Sequence, residues 1–82
     1  MKLKAQSING KVKLTWSGLA GVDSYRIKRA QLNGYSENLV ELRAGYYIDE
    51  KVRLGLSYSY TVVAVFRNSE FKSSNEVTVK VS

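Results

Sequence analysis

The chain has 82 residues, the length of one small domain, and we expect residues 1–82 to form a single folding unit. It contains no Cys, no His and no Pro, so disulfide bonds and the common soft metal ligands are excluded, and we predict neither a metal nor a cofactor. Thirteen Lys and Arg against seven Asp and Glu give a net charge of +6, which favours anionic partners, and no apolar run approaches the roughly 20 residues of a membrane span.

The first two predicted strands are joined by a turn at Asn9-Gly10, since Asn-Gly is the dipeptide typical of a tight hairpin turn. Pairing outward from this turn places Ser7 opposite Val12, Ala5 opposite Leu14, and Leu3 opposite Trp16. Because side chains alternate between the two faces of a strand, these residues are predicted to face the core, and only Ile8 among the large apolar residues is left outside. The opposite face of the hairpin then carries Lys2, Lys4, Gln6, Lys11, Lys13 and Thr15.

Three further strands are predicted between residues 24 and 49. The first covers residues 24–30, with Tyr25 and Ile27 facing inward and Arg26 and Lys28 facing outward. A turn at Asn33-Gly34 follows, and residues 39–43 then form a strand whose facing the pattern does not determine. Residues 46–49 form the next strand, with Tyr47 as its inward ring.

A long strand from about Tyr58 to Phe66 begins with a tyrosine that we interpret as a tyrosine corner. In such a corner the ring enters the core and the hydroxyl bonds a backbone group a few residues upstream, here expected around Lys51 or Val52. Residues 67–70 are predicted to form a polar loop before the last strand. In that strand Val77, Val79 and Val81 point to one face, and Glu76, Thr78 and Lys80 to the other.

Taken together, these segments resemble a fibronectin type III domain. The residues that carry the resemblance are Leu14-Thr15-Trp16, Tyr25-Arg26-Ile27, Tyr47-Ile48-Asp49, Tyr58-Ser59-Tyr60-Thr61-Val62 and Ser74-Asn75-Glu76-Val77. The resemblance implies an all-β fold, a seven-stranded antiparallel immunoglobulin-like β-sandwich. Leu54 stands where the family usually has a proline, and the lack of any proline leaves an engineered binding scaffold of the same fold as an alternative.

The chain is most similar to bacterial family members that lie beside catalytic domains or in surface proteins. This implies a non-catalytic spacer or scaffold in a larger, extracellular or cell-surface protein, whose partners are the neighbouring domains. The Arg-Gly-Asp tripeptide of some adhesive members is absent. No enzyme is predicted, because neighbouring positions of a strand point to opposite faces, so the single adjacent acidic pair, Asp49-Glu50, cannot flank one bond. We expect Asp49 to bond the backbone of the following turn instead.

Two surfaces are candidate binding sites. Lys2, Lys4, Lys11 and Lys13, which we call the lysine face, could bind a polyanion or glycan such as an acidic polysaccharide, although surface lysines also serve to keep sheets from aggregating. The second candidate is an outward apolar strip of Val63 and Val65, rimmed by Arg26 and Lys28, which could contact a neighbouring domain or another protein. Tyr35 and Tyr46 are the tyrosines expected at the surface, too few to favour nucleic acid.

Overall fold

The structure is a computed structural model that describes residues 1–31 and 34–82. Asn33, and with it the predicted Asn33-Gly34 turn, lies outside the described residues. Within them there is no helix, and the strands are Leu3–Ile8 (β1), Lys11–Trp16 (β2), Ser24–Gln31 (β3), Glu37–Leu42 (β4), Tyr46–Asp49 (β5), Ser57–Phe66 (β6), Ser69–Ser73 (β7) and Val77–Lys80 (β8). The predicted all-β fold is confirmed, with eight strands in the described part of the chain where seven were expected.

The strands form two antiparallel sheets that pack face to face as an immunoglobulin-like sandwich. One sheet has the order β1-β2-β5, and the other has the order β4-β3-β6-β7, with β8 also pairing with β6. The predicted register of the first hairpin is confirmed, since Leu3 lies opposite Trp16 and Ser7 opposite Val12. Asn9 and Gly10 have φ angles of 51° and 78°, the left-handed conformation that a two-residue turn between twisted strands requires.

The core lies between the two sheets and is formed by inward side chains of both sheets and by the C-terminal Val81. Trp16 and Tyr25 meet edge to face across the core, with ring centroids 5.8 Å apart. Tyr47 is half-buried against the same cluster, as predicted. The buried members of the core are Leu3, Val12, Leu14, Trp16, Tyr25, Ile27, Tyr58, Tyr60, Val62, Ala64 and Val81.

The facing of β4 could not be predicted because this strand contains a bulge. Ile27 pairs with Val40 and Lys28 pairs with Asn38, so Leu39 is the extra residue on β4. A bulge interrupts the alternation of side chains between faces. Leu39, Val40 and Leu42 are accordingly all half-buried against the core.

The predicted polar loop over residues 67–70 is wrong. Arg67 and Asn68 have φ angles of 52° and 66° and form a two-residue turn by themselves. Ser69 and Glu70 then begin strand β7, which pairs with β6 and places them opposite Phe66 and Val65. The sequence of this segment is polar because β7 is an edge strand whose side chains are exposed, and polarity alone therefore indicated a loop.

The tyrosine corner is present, with its partner shifted by one residue from the nearest expected position. Tyr58 is 2% exposed, and its hydroxyl oxygen accepts a 3.0 Å hydrogen bond from the Arg53 amide. The turn that holds this amide is closed by a 3.2 Å bond from the Leu56 amide to the Arg53 carbonyl. Because the turn closes at Arg53, the Arg53 amide lies within hydrogen-bond distance of the Tyr58 hydroxyl, in place of the amides of Lys51 or Val52.

The outer edge of β1 is covered by the C-terminal part of the chain. The Asn75 side chain accepts a 2.8 Å bond from the Leu3 amide and donates a 3.1 Å bond to the Leu3 carbonyl, as a neighbouring strand would. Further along, the Ser82 amide donates to the Ser7 hydroxyl at 2.9 Å, and the Gly10 amide donates to the Ser82 carbonyl at 3.1 Å. These contacts tie the two sheets together along one side.

Candidate functional site

The lysine face lies on the outer side of the β1-β2-β5 sheet. All four of its lysines are exposed, and the register places Lys4 opposite Thr15 and Gln6 opposite Lys13. Lys11 forms a 2.9 Å ion pair with Glu50, whereas Lys2, Lys4 and Lys13 make no ion pair with any described residue. Three of the four predicted residues therefore keep an uncompensated charge on one surface.

Strand β5 adds two apolar side chains that the sequence did not assign to this surface. Thr15 pairs with Tyr46, and Lys13 pairs with Ile48. Tyr46 is 58% exposed and Ile48 is 44% exposed, so both side chains lie beside the lysines. The alternation around Tyr47 already indicated that Tyr46 points outward, but only the pairing of β5 with β2 shows that it shares a face with Lys4 and Lys13.

The outer surface of the β1-β2 pair is concave. One depression of about 310 Å³ is lined by Lys4, Ala5, Gln6, Lys13 and Thr15. A second, of about 420 Å³, is lined by Lys2, Lys4, Thr15, Trp16 and Ser17. Because Lys4 and Thr15 line both depressions, the two adjoin and form one shallow trough along the β1-β2 pair.

The second predicted surface differs from expectation. Arg26, Lys28, Val63 and Val65 do lie on the outer face of the other sheet, where Arg26 pairs with Val63. However, the prediction of an exposed apolar strip is wrong, because Val63 and Val65 are only 3% and 2% exposed. A partner approaching this face would meet charged side chains before it met either valine.

An ion-pair network covers the two valines. Glu70 on β7 accepts hydrogen bonds from Lys28 at 2.9 Å and from Arg26 at 3.4 Å on β3, so these pairs pass over β6, which lies between them. Arg26 also bonds Glu41 on β4 at 2.8 Å. The Arg26 guanidinium and the Ser24 hydroxyl lower the pKa of Glu41, and the Lys28 ammonium lowers the pKa of Glu70. The positive charge of this face is therefore largely neutralised.

A buried polar cluster, which sequence reasoning missed, links the two sheets near the opposite end of β5 from Tyr46. The Asp49 carboxylate is 1% exposed and accepts hydrogen bonds from the Tyr60 hydroxyl at 2.8 Å and from Arg29 at 2.9 Å. The same carboxylate accepts a 3.1 Å bond from the Lys51 amide, as predicted for the turn. Burial and the hydrogen bond to Asp49 raise the pKa of Tyr60 well above its usual range.

This arrangement assigns Asp49 a structural role. Asp49 is buried while Glu50 is exposed and paired with Lys11, so the two carboxylates point away from each other as predicted. An acid that is enclosed and engaged by three donors cannot reach a substrate in solution. In the described part of the chain no group of three or more His, Cys, Asp or Glu residues could hold a metal ion, and no helix is long and apolar enough to cross a membrane.

Comparison with known proteins agrees with this architecture. No protein-family profile matches the chain. An amylopullulanase of Thermoanaerobacter thermohydrosulfuricus is 41% identical over 78 residues, which make up 92% of this chain and 5% of that protein. The chain therefore spans only a small part of the curated relative that it matches.

Solved structures show the same fold. An Fn3-like protein from Clostridium thermocellum is 27% identical, with a TM-score of 0.84 over 98% of this chain and 88% of that one. Pectate lyase PelI from Erwinia chrysanthemi, solved with tetragalacturonic acid, is 25% identical, with a TM-score of 0.81 over 94% of this chain and 27% of that one. Together with the two-sheet sandwich and the tyrosine corner, these similarities show that the chain is a fibronectin type III-like domain.

Proposed function

We propose that this domain is a non-catalytic spacer in a larger, extracellular protein that acts on polysaccharides. The observation that carries the proposal is that a segment similar in sequence makes up 5% of an amylopullulanase and a domain of the same fold makes up 27% of a pectate lyase chain, two enzymes named for polymeric sugars. Such polymers are met outside the cell, which supports an extracellular location. In this role the partners of the domain are the neighbouring domains of its parent polypeptide.

The positions of the terminal residues suit a domain that is connected in series. The Lys2 amide bonds the Ser17 hydroxyl at 3.2 Å, at the end of β2, whereas Ser82 bonds Gly10 at the hairpin turn. These contacts lie at opposite ends of a hairpin whose six-residue strands are about 20 Å long. A chain that passes through the domain therefore enters at one end and leaves at the other, which separates whatever is attached on each side.

The contacts of the Asp and Glu side chains support the proposal that the domain is non-catalytic. Five of the seven acids are engaged in this way: Asp49 is enclosed, and Glu37, Glu41, Glu50 and Glu70 are each held in an ion pair with a Lys or Arg. Of the other two, Asp23 accepts a 2.8 Å hydrogen bond from the Arg67 amide. A general acid and base must instead be free to meet the same substrate atom or bond.

The spacer role is tested by fusing a donor and an acceptor fluorescent protein to the two ends of the chain. We expect a narrow distribution of transfer efficiencies, because the sandwich fixes the distance between its ends. The matched control replaces the domain by an 82-residue Gly-Ser linker, whose ends are separated by about 50 Å on average with a broad spread. A distribution as broad as that of the linker would contradict the proposal, as would release of reducing sugars from amylose or polygalacturonate by the isolated chain.

A further inference from the structure

The two outer faces of the sandwich carry their positive charge differently. On the face of β3 and β6, Arg26 and Lys28 are bonded to Glu41 and Glu70. On the face of β1 and β2, Lys2, Lys4 and Lys13 are exposed and are not paired with any residue of the described ranges. Part of the net charge of +6 is thus concentrated on one side of the domain.

Protection against aggregation does not account for these lysines. Lysine commonly guards the open edge of a sheet, where unpaired backbone groups could bind another chain. Here the edge at β1 is already covered by Asn75 and Ser82. Lys13 lies on β2, which is the central strand of its sheet and has no open edge.

The spacing of the three lysines along the two strands suits a linear anion. Lys2 and Lys4 are two residues apart at the start of the hairpin, which places their backbones about 6.5 Å apart. Lys13 lies diagonally across from Lys4 on β2, about 7–8 Å away at the backbone. All three line the trough formed by the two adjoining depressions. A flexible polymer with a negative charge on each of several successive units can form ion pairs with all three lysines at once.

The uncharged side chains of the trough favour a sugar polymer among the linear anions. Gln6, Thr15 and Ser17 supply an amide and two hydroxyls that can bond sugar hydroxyls. Tyr46 lies opposite Thr15 on β5 and supplies an exposed ring beside the trough. Surfaces that bind single-stranded nucleic acid stack successive bases on several aromatic side chains. Among the described residues of this surface Tyr46 is the one exposed ring, because Trp16, which also lines the trough, is only 7% exposed.

We propose that this trough binds an acidic polysaccharide, whose carboxylates pair with Lys2, Lys4 and Lys13 and one of whose sugar rings rests on Tyr46. The choice of a polysaccharide rests in part on the proposed place of the domain in a polysaccharide-acting protein. Lys11 is outside the site because Glu50 neutralises it. The domain would then hold its parent protein on an acidic substrate as well as separate the neighbouring domains.

The test measures binding of the full chain to polygalacturonate by calorimetry, with neutral dextran and single-stranded DNA as comparison ligands. The site variant combines Lys2→Gln, Lys4→Gln and Lys13→Gln, and the control variant with the same charge change combines Lys51→Gln, Lys72→Gln and Lys80→Gln. We expect the site variant to bind polygalacturonate roughly tenfold more weakly and the control to change less than about threefold. Affinity should also fall when salt is raised from about 20 to 200 mM, because the charges are exposed.

Tyr46 provides a second, independent readout. We expect Tyr46→Ala to weaken polygalacturonate binding a few-fold, and Tyr35→Ala, which removes a ring that is 97% exposed elsewhere, to leave it unchanged.

Three results would overturn the inference: no binding of polygalacturonate at low salt, equal losses in the two lysine variants, or DNA binding at least as tight as that of polygalacturonate. Each of them leaves the fluorescence test of the spacer role unaffected, so the two proposals can fail separately.

Discussion

Removing the Asp49 carboxylate should destabilise this domain more than the loss of any exposed charge. In Asp49→Ala the Tyr60 hydroxyl, whose residue is fully buried, loses its acceptor, and the Arg29 guanidinium, whose side chain is 12% exposed, loses one of its two carboxylates. An unsatisfied buried hydroxyl costs about 1–3 kcal/mol, and breaking a buried ion pair costs about 3–5 kcal/mol. Arg29 keeps Glu37 and the Lys51 carbonyl, which reduces the second cost. We therefore expect a total loss of about 3–5 kcal/mol.

This loss is large relative to the stability of a small domain, which is about 4–12 kcal/mol for a chain of this length. Urea unfolding followed by fluorescence measures it directly, because Trp16 is the single tryptophan and is buried. With a slope of about 1–1.5 kcal/mol per M urea, the midpoint should fall by about 2–5 M. Should Asp49→Ala fail to fold, Asp49→Asn keeps the size of the side chain and is expected to lose less.

Two comparisons make the interpretation specific. Glu50→Ala removes the adjacent acid, which is exposed and paired with Lys11, and should change stability by no more than about 0.5 kcal/mol. A double-mutant cycle of Asp49→Asn with Tyr60→Phe should show a coupling of about 1–2 kcal/mol. The reasoning is refuted if Asp49→Ala unfolds within about 1 kcal/mol of the unchanged protein, or if the cycle shows no coupling.

Three further predictions concern the remaining polar contacts. Tyr58→Phe should cost about 1 kcal/mol in urea unfolding, because it deletes only the hydroxyl that accepts a backbone amide; a neutral result would contradict the tyrosine corner. Asn75→Ala should cost about 1–3 kcal/mol and speed hydrogen exchange of the Leu3 amide, since the amide side chain bonds both backbone groups of that residue; unchanged exchange would show that the edge is covered otherwise. The thermal midpoint should fall on acidification below about pH 4.5, because folding lowers the pKa values of Glu41 and Glu70. The stabilising effect of these two carboxylates is fully present above their unfolded pKa and is lost as the pH falls through their folded pKa. The double variant Glu41→Gln and Glu70→Gln should show a smaller fall of the thermal midpoint at acidic pH. An unchanged fall would show that other groups cause it.

Local features of the sequence were sufficient to predict the first hairpin. Asn9 and Gly10 readily take positive φ angles, and a two-residue turn leaves a single register for the strands on each side. The burial of Leu3 and Trp16 and the exposure of Lys4 and Lys13 follow from that register alone. The position of the lysine face on the outside of the hairpin is therefore predictable from the sequence.

The bulges and β7 were not predicted, because nothing local distinguishes them. Leu39 and Phe71 are each the extra residue of a bulge, and a bulge is defined by the partner strand that it faces. Ser69 and Glu70 are polar because they lie on an exposed edge strand, and polar residues alone indicate a loop. Only their pairing with β6 shows that they belong to a strand.

Period-two alternation and turn residues predicted the short strands, the side chains of the first hairpin that enter the core, and the surface that four lysines share, and the resemblance to fibronectin type III domains implied that the strands form a β-sandwich. Only the tertiary structure decided that Val63 and Val65 are buried, that Tyr46 borders the lysine trough, and that Asp49 meets Arg29 and Tyr60. The physical reason is that a residue's face depends on the backbone of its own strand. The groups that cover, neutralise or bond that residue belong to strands brought alongside by pairing between distant parts of the chain.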